Sequence, residues 1–447
     1  MSSPTAAKLE PVLLSRMADA RERTDSLFHL LPPNSLYDRP IPERHRMIFY
    51  LGHLEAFDWN LLSQPLGLCS KNPEFDKLFA FGIDPVGTGL PTDIPEDWPS
   101  IAQVEHYNAE VRGVLDNALR TASAFDAGSA LADGTLLNVA IEHRLMHAET
   151  LAYLLQNMPV DRKIPQSAPA LESHREPKPS MVEIPAGVAT LGQSRDSGEF
   201  GWDNEFERAS VFVPAFRVDM FPITNAEYLK FVEAGGYEEP KYWADKDWEW
   251  RLQNRIDHPH LWRRRSERAA SDPDTPWEYR TMFGEIPLPH SWPVFVSHAE
   301  ANAFCRWAGK KLPTEAQWHR AAYGTRKGTE RSYPWGEERP DNSRGNFHHQ
   351  SWTASPVDAY AAGASAFGVQ DLLGNGWEWT STPFAPLPGF KAFPFYPGYS
   401  ANFFDGEHFV LKGGSQRTDA CMLRRSFRNW FQPNYPYIYS TFRCVEE

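Results

Sequence analysis

Between Thr135 and Met158 the chain runs without a Pro or Gly, and Pro159 ends the run. Leu136, Ala140, His143, His147, Leu151 and Leu154 recur there at helical spacing, so the stretch reads as one long helix with an apolar face. His143 and His147 lie on that face, and side chains four residues apart point the same way. Two imidazoles so placed are half of a zinc or iron site, or else core residues whose ring nitrogens are satisfied by backbone. A third histidine on another helix would favour the metal. Pro42–Asn60 supplies the candidates: Pro42 suits a first helical turn, and His45 and His53 follow. His45 stands among Glu43, Arg44 and Arg46 and reads as solvated, whereas His53 stands between Leu51, Leu54 and Phe57 and reads as buried. His53 is the preferred third ligand.

At 447 residues the chain exceeds one ordinary hydrophobic core, so two domains are expected. Helical periodicity in Leu9–Leu31, Pro42–Ser63, Ile101–Ala127 and Thr135–Met158 predicts a four-helix bundle over residues 1–163. Gln64–Ser100, rich in Gly, Pro and Asp, reads as a long loop over that bundle, where function tends to concentrate. Residues 164–180 hold four prolines and suit an extended linker. Beyond Met181, short β-type runs at Met181–Gly192, Ala209–Asp219 and Phe409–Ser415 alternate with turns, and helical pieces occur at Asn225–Ala234 and Ser297–Ala308. Residues 181–447 thus predict a loop-rich α+β domain. The net charge of −13, with basic residues dispersed, argues against nucleic acid or an anionic membrane as partner. No apolar run approaches the roughly 20 residues of a membrane span, and the N-terminus lacks a signal-peptide core, so a soluble cytoplasmic protein is expected. Cys69, Cys305, Cys421 and Cys444 are too scattered for a disulfide framework or a C-x-x-C metal site. The 16 tryptophans exceed what a core alone uses and suggest an aromatic-lined pocket.

The C-terminal half carries P-I-T-N-A-E-Y-L-K-F-V at Pro222–Val232, K-L-P-T-E-A-Q-W at Lys311–Trp318, Y-P-W-G at Tyr333–Gly336, D-L-L-G-N-G-W-E-W-T at Asp371–Thr380 and K-G-G-S at Lys412–Ser415. Over residues 181–447 these resemble the formylglycine-generating-enzyme-like, or sulfatase-modifying-factor, family. The H-x-x-x-H-x-E pattern of His143, His147 and Glu149, with His53 upstream, resembles a DinB-type bundle. Together the halves resemble the ergothioneine-pathway hercynine sulfoxide synthases. That resemblance implies a DinB-like four-helix bundle followed by a formylglycine-generating-enzyme-like (C-type-lectin-like) α+β domain. It also implies a non-haem enzyme that uses O₂ to join a thiol to C2 of the hercynine imidazole, with Fe(II) held by His53, His143 and His147. Three neutral imidazoles leave half an octahedron open for substrate and O₂. Glu149, two residues past His147, falls on another helix face and reads as supporting or structural. A structural Ca²⁺ in the C-terminal domain is a further option the family allows.

Arg424–Tyr435 resembles the segment where that family holds hercynine, which implies that Asn429 hydrogen-bonds the imidazole and Trp430 faces the trimethylammonium group. Arg425, in a cluster with Arg424 and Arg428, is a candidate for a substrate carboxylate or part of a salt-bridged surface. Members that use γ-glutamylcysteine carry Asp directly after that Trp and Arg four residues later; here Phe431 and Tyr435 occupy those substrate positions. The missing clamp implies a smaller thiol, most simply cysteine. Formylglycine formation is not expected, because Gln416–Arg428 holds only Cys421 where a close cysteine pair is required. The cysteine-using branch places a tyrosine proton donor in the loop after Phe75, but Leu78–Pro85 offers only Phe79 and Phe81. Another tyrosine would then do that work, with Tyr396, Tyr399 and Tyr435 as the candidates. Otherwise the second substrate differs, as in the related selenoneine synthases that join a selenosugar to hercynine; sulfur and selenium both stay open. Two other classes compete: a zinc-dependent DinB-type thiol transferase and a non-catalytic lectin-like binder. Trp377–Trp379 reads as a structural signature, and Asp245–Trp250 as a solvent-facing stretch.

Overall fold

Helix α5 (Thr135–Asn157) follows Gly134, whose φ of 71° only glycine adopts freely, and stops at Met158 before Pro159. It belongs to a computed structural model that describes residues 6–80, 90–120, 129, 131–167, 169, 174–265 and 276–447. These fall into two units, Met1–Gln166 and Ser167–Glu447. In the first, α5 packs along α1 (Ala6–Phe28) and against α2 (Met47–Leu62), and α2 packs against α4 (Ile101–Leu119). Helix α5 is buried on nearly every side, including its polar Glu142, His143, Arg144, His147, Thr150 and Gln156.

Three details differ from the periodicity. Helix α2 begins at Met47, not at Pro42. Arg46 is held extended, with ψ of 156°, while its side chain reaches Asp93 and the Tyr37 carbonyl. Arg44, placed by its charge in a solvated turn, is buried. The third long helix closes at Arg120, whose N–H bonds Asp116 and Ala118; the expected continuation through residues 121–127 lies outside the described residues. The long loop contains a short helix, α3 (Pro73–Leu78), started by the Asn72 side chain accepting from the Phe75 N–H.

The second unit is α+β. Its main sheet has the order β10-β9-β8-β11, with β8 (Gly376–Pro383) antiparallel to β9 (Phe409–Gly414), β10 (Asn429–Phe431) on its far side, and β11 (Ser440–Thr441) parallel to β8. A second sheet sets β4 (Phe216–Asp219) between β1 (Met181–Ile184) and β12 (Val445–Glu446); β2 (Gly187–Leu191) and β3 (Ala209–Val213) form a hairpin; and β5 (Trp262–Arg264), β6 (Trp277–Arg280) and β7 (Glu285–Pro287) form a meander. Helices α6 (Asn225–Glu233), α8 (His298–Trp307) and α9 (Glu315–Tyr323) each begin with a capping box, Thr224/Glu227, Ser297/Glu300 and Thr314/Gln317. Helix α7 (Asp245–Asn254) buries none of its residues.

The recurring motifs mostly build this core. Glu378 is fully buried, bonded twice by Arg443 and once by the Trp318 indole N–H, and Trp379 donates to the Val296 carbonyl. Gly413 of K-G-G-S has φ of 96°, and a Cβ there would lie 2.7 Å from the Leu372 carbonyl oxygen. Only glycine fits that crossing.

A three-histidine candidate metal centre

His53 on α2 faces His143 and His147 on α5. Their ring centroids are 5.3 Å (53–143), 4.8 Å (53–147) and 4.5 Å (143–147) apart, and one nitrogen from each lies within 4.8 Å of the others. All three are buried. The His53 Nδ1 sits 2.7 Å from the Phe79 carbonyl oxygen. A carbonyl only accepts, so Nδ1 carries the proton and Nε2 keeps its lone pair for the interior. His53 Nε2, His143 Nδ1 and both nitrogens of His147 have no hydrogen-bond partner among the described residues. Satisfied core histidines would not leave these atoms orphaned, since each costs about 1–3 kcal/mol when buried unpaired. Burial pushes the His53 pKa down to about 4 and those of His143 and His147 well below the ordinary value. The three are therefore neutral imidazoles, the form that binds a metal.

The surroundings are dry and aromatic. Phe49 stacks on His53 with centroids 4.9 Å apart, Phe57 on His143 at 3.4 Å, and the Tyr50 ring stands 5.9 Å from His147. His45, the alternative third histidine, is half-buried against Phe49 and outside the group. Glu149 is half-buried and is not one of the clustered ligands.

Phe79, noted in the sequence for lacking a hydroxyl, contributes its backbone carbonyl instead. Its ring is fully buried against Gly52, where an added Cβ would lie 2.7 Å from three ring carbons. Phe81 lies outside the described residues. Sequence reasoning also passed over Arg144, which follows His143 and is completely buried against Glu55 and Asp58. The signal was there: charged residues inside two otherwise apolar helices.

In the second unit, Trp430 stacks on Phe384 with centroids 4.2 Å apart and meets Phe403 and the edge of Tyr399. Asn429 and Trp430 are half-buried, and Asn429 Oδ1 accepts the Trp430 backbone N–H at 2.9 Å. Phe431 and Tyr435 stack on each other at 5.4 Å. Tyr399 stacks on Trp202 at 3.9 Å and neighbours Tyr396, whose phenol is pushed up to about 12 by burial and by Asp203. The arginines are paired: Arg424 with Glu205, Arg425 with Glu330 and Arg428 with Glu315. Arg425 lines a cavity of about 600 Å³ together with Gln193, Arg208, Ser332, Tyr333 and Arg424; Asn429, Trp430, Phe431 and Tyr435 do not line it.

Comparison with known proteins follows the same division. Residues 16–151 match the DinB superfamily and residues 167–447 the sulfatase-modifying factor enzyme 1-like domain. The hercynine oxygenase of Mycobacterium tuberculosis is 35% identical over 353 residues, which cover 77% of this chain and 78% of that protein. The chain belongs to the hercynine oxygenase family. The hercynine oxygenase of Mycolicibacterium thermoresistibile is 36% identical over 77% of this chain and 75% of its own length. Ergothioneine biosynthesis protein 1 of Neurospora crassa is 30% identical over 94% of this chain and 56% of its own length. The DinB-like helical half and the sulfatase-modifying-factor-like α+β half of this family member are those described above. Among the described residues, no helix is long and apolar enough to cross a membrane.

Proposed function

We propose that the protein is an Fe(II)- and O₂-dependent oxygenase that joins the sulfur of cysteine to C2 of the hercynine imidazole, giving a sulfoxide on the way to ergothioneine. The observation that carries this reading is the buried, neutral, orphaned triad of His53, His143 and His147 in a chain whose relatives are named for hercynine. The reaction balances as hercynine plus cysteine plus O₂ giving the sulfoxide plus water: the C2–H and S–H bonds break, one C–S bond forms, and the two oxygen atoms part between sulfur and water. Iron at the triad supplies the redox chemistry that O₂ needs, which zinc does not.

The chain's own residues supply the rest. The Phe79 carbonyl holds the His53 Nδ1–H and keeps Nε2 as the ligand atom. Phe49, Phe57 and Phe79 exclude water from the site. Asn429 offers its amide to the imidazole, and Trp430, with one face against Phe384, offers its remaining indole surface to the trimethylammonium group. The Phe431–Tyr435 stack puts two uncharged rings at the positions that would hold a γ-glutamyl group, which favours a compact thiol. Tyr399 meets Trp430 and Tyr435 stacks on Phe431, which makes these two the phenols we assign to proton donation ahead of Tyr396. Among the described residues no second group of three or more His, Cys, Asp or Glu ligands gathers, so a structural Ca²⁺ would draw much of its coordination from carbonyl oxygens and amides beside one or two carboxylates.

One observation favours a second reading. Phe79 stands where a phenol is expected and is fully buried, which suits a different second substrate, a selenosugar selenol. Fe(II)-loaded protein given hercynine, O₂ and equal limiting cysteine, γ-glutamylcysteine and selenosugar separates these by mass spectrometry. A cysteine sulfoxide adduct supports the first reading, a selenosugar adduct the second. No adduct with any donor, or turnover indifferent to O₂, removes both and points to a zinc thiol transferase.

A further inference from the structure

Arg144 is the residue after His143, yet its side chain is completely buried. Its Nη1 donates to Glu55 Oε1 at 2.9 Å, and its Nη2 to Asp58 Oδ2 at 2.6 Å and to the Leu54 carbonyl at 2.9 Å. All three acceptors lie on α2, starting one residue past His53. Glu55 is further held by Arg112 of α4, which bonds both oxygens of Asp25 on α1 at 2.7 Å. A single network therefore crosses all four long helices beside the triad.

Stability alone does not explain it. Apolar side chains of like volume do as well as a buried ion pair, or better by about 1–4 kcal/mol, because desolvating the charges costs so much. A planar guanidinium adds what packing does not: a rigid fork that fits one arrangement of acceptors. Here the fork spans one turn of α2, so sliding or rotating α2 against α5 breaks its bonds. The same movement would carry His53 away from His143 and His147. Glu55 and Asp58 lie 2.9 and 2.6 Å from the guanidinium of Arg144, the residue next to His143, so the fork that ties α2 to α5 sits directly beside the triad.

We propose that Arg144, with Glu55 and Asp58, is the positioning group of the metal centre: it fixes the register of α2 on α5. The proposal rests on the reading of the triad as a metal site. Co(II) alone is the probe, followed in full-length apoprotein by equilibrium dialysis and by its visible ligand-field spectrum. We expect Arg144→Met to weaken Co(II) binding by about 10- to 100-fold and to alter the spectrum. Arg144→Lys should fail to restore either, since one ammonium cannot bridge both carboxylates. If Arg144→Met does not fold, Glu55→Gln keeps the shape, weakens the bonds by which Arg144 and Arg112 hold α2 and carries the same expectation. Leu13→Ala, a cavity variant in α1 of the same bundle, should lose thermal stability while retaining wild-type affinity and spectrum. Wild-type affinity and spectrum in Arg144→Met or Glu55→Gln would overturn the inference, as would an equal loss of affinity in Leu13→Ala. Wild-type protein that takes up no Co(II) would instead overturn the metal reading itself.

Discussion

Replacing Gly52 by alanine tests whether the centre is held by the packing behind it. In the middle of α2, Gly→Ala normally stabilises by about 0.5–1 kcal/mol. Here the new Cβ would lie 2.7 Å from Cδ1, Cδ2 and Cε1 of Phe79, so the ring must retreat by about 1 Å to reach ordinary carbon–carbon contact. The ring cannot swing aside easily, because Phe75, Trp98 and Tyr107 surround it with centroids 5.6, 6.1 and 6.3 Å away. Overpacking of this kind costs about 1–3 kcal/mol, which offsets the helical gain and leaves a net loss of about 0–2.5 kcal/mol. Urea unfolding of the metal-free protein reads that loss. The same retreat drags the Phe79 carbonyl from its 2.7 Å contact with His53 Nδ1 and unsettles the ligand it orients. Co(II) or Fe(II) affinity should fall about tenfold or more by equilibrium dialysis. Adding Phe79→Leu should recover part of both losses by vacating the space, a coupling visible in a double-mutant cycle. A Gly52→Ala protein that is more stable than wild type and binds metal equally well would refute the reasoning.

Three further outcomes are expected. Divalent metal at 100 times its dissociation constant should stabilise the protein by about 2.7 kcal/mol, seen as a raised melting temperature, and His147→Ala should abolish the shift. In the metal-free protein, His53 titrates at about 4 when folded against 6.5 as a model group, so its contribution is whole above pH 6.5 and is lost as pH falls towards 4. Glu55 adds a lower phase: burial would raise its pKa, but Arg144 and Arg112 hold it at about 2 against 4.5, so its contribution is whole above 4.5 and is lost from there towards 2. Circular dichroism should show both phases, with the lower one absent in Glu55→Gln; a flat profile from pH 7 to 4 would contradict neutral buried imidazoles. Trp430→Ala should raise the KM for hercynine by roughly tenfold, the worth of a partly desolvated cation–π contact of about 1–2 kcal/mol, with a smaller change in kcat. An unchanged KM would remove Trp430 from the binding site.

Periodicity and spacing alone determined the four long helices, the pairing of His143 with His147 on one face, the preference for His53 over His45, and the change to α+β texture past the proline-rich stretch. Those features are local, because 3.6-residue repeats, helix stops and turn residues act over a few neighbours. The motifs of the second half went further and announced the family, which the matched domains bear out. Local signals failed where distant groups compete for the backbone: Arg46 is drawn to Asp93 across 47 residues, so Pro42 opens no helix. They also could not show that Phe79 serves His53 through its carbonyl, since that contact closes 26 residues of chain. Nor could they show that Arg144 is buried between carboxylates of another helix, or that Phe384 covers one face of Trp430. Sequence sets which side chains are available and which face each occupies. Tertiary packing decides which lone pairs are left without a partner, because burial and hydrogen bonding depend on neighbours that the chain brings together only when it folds.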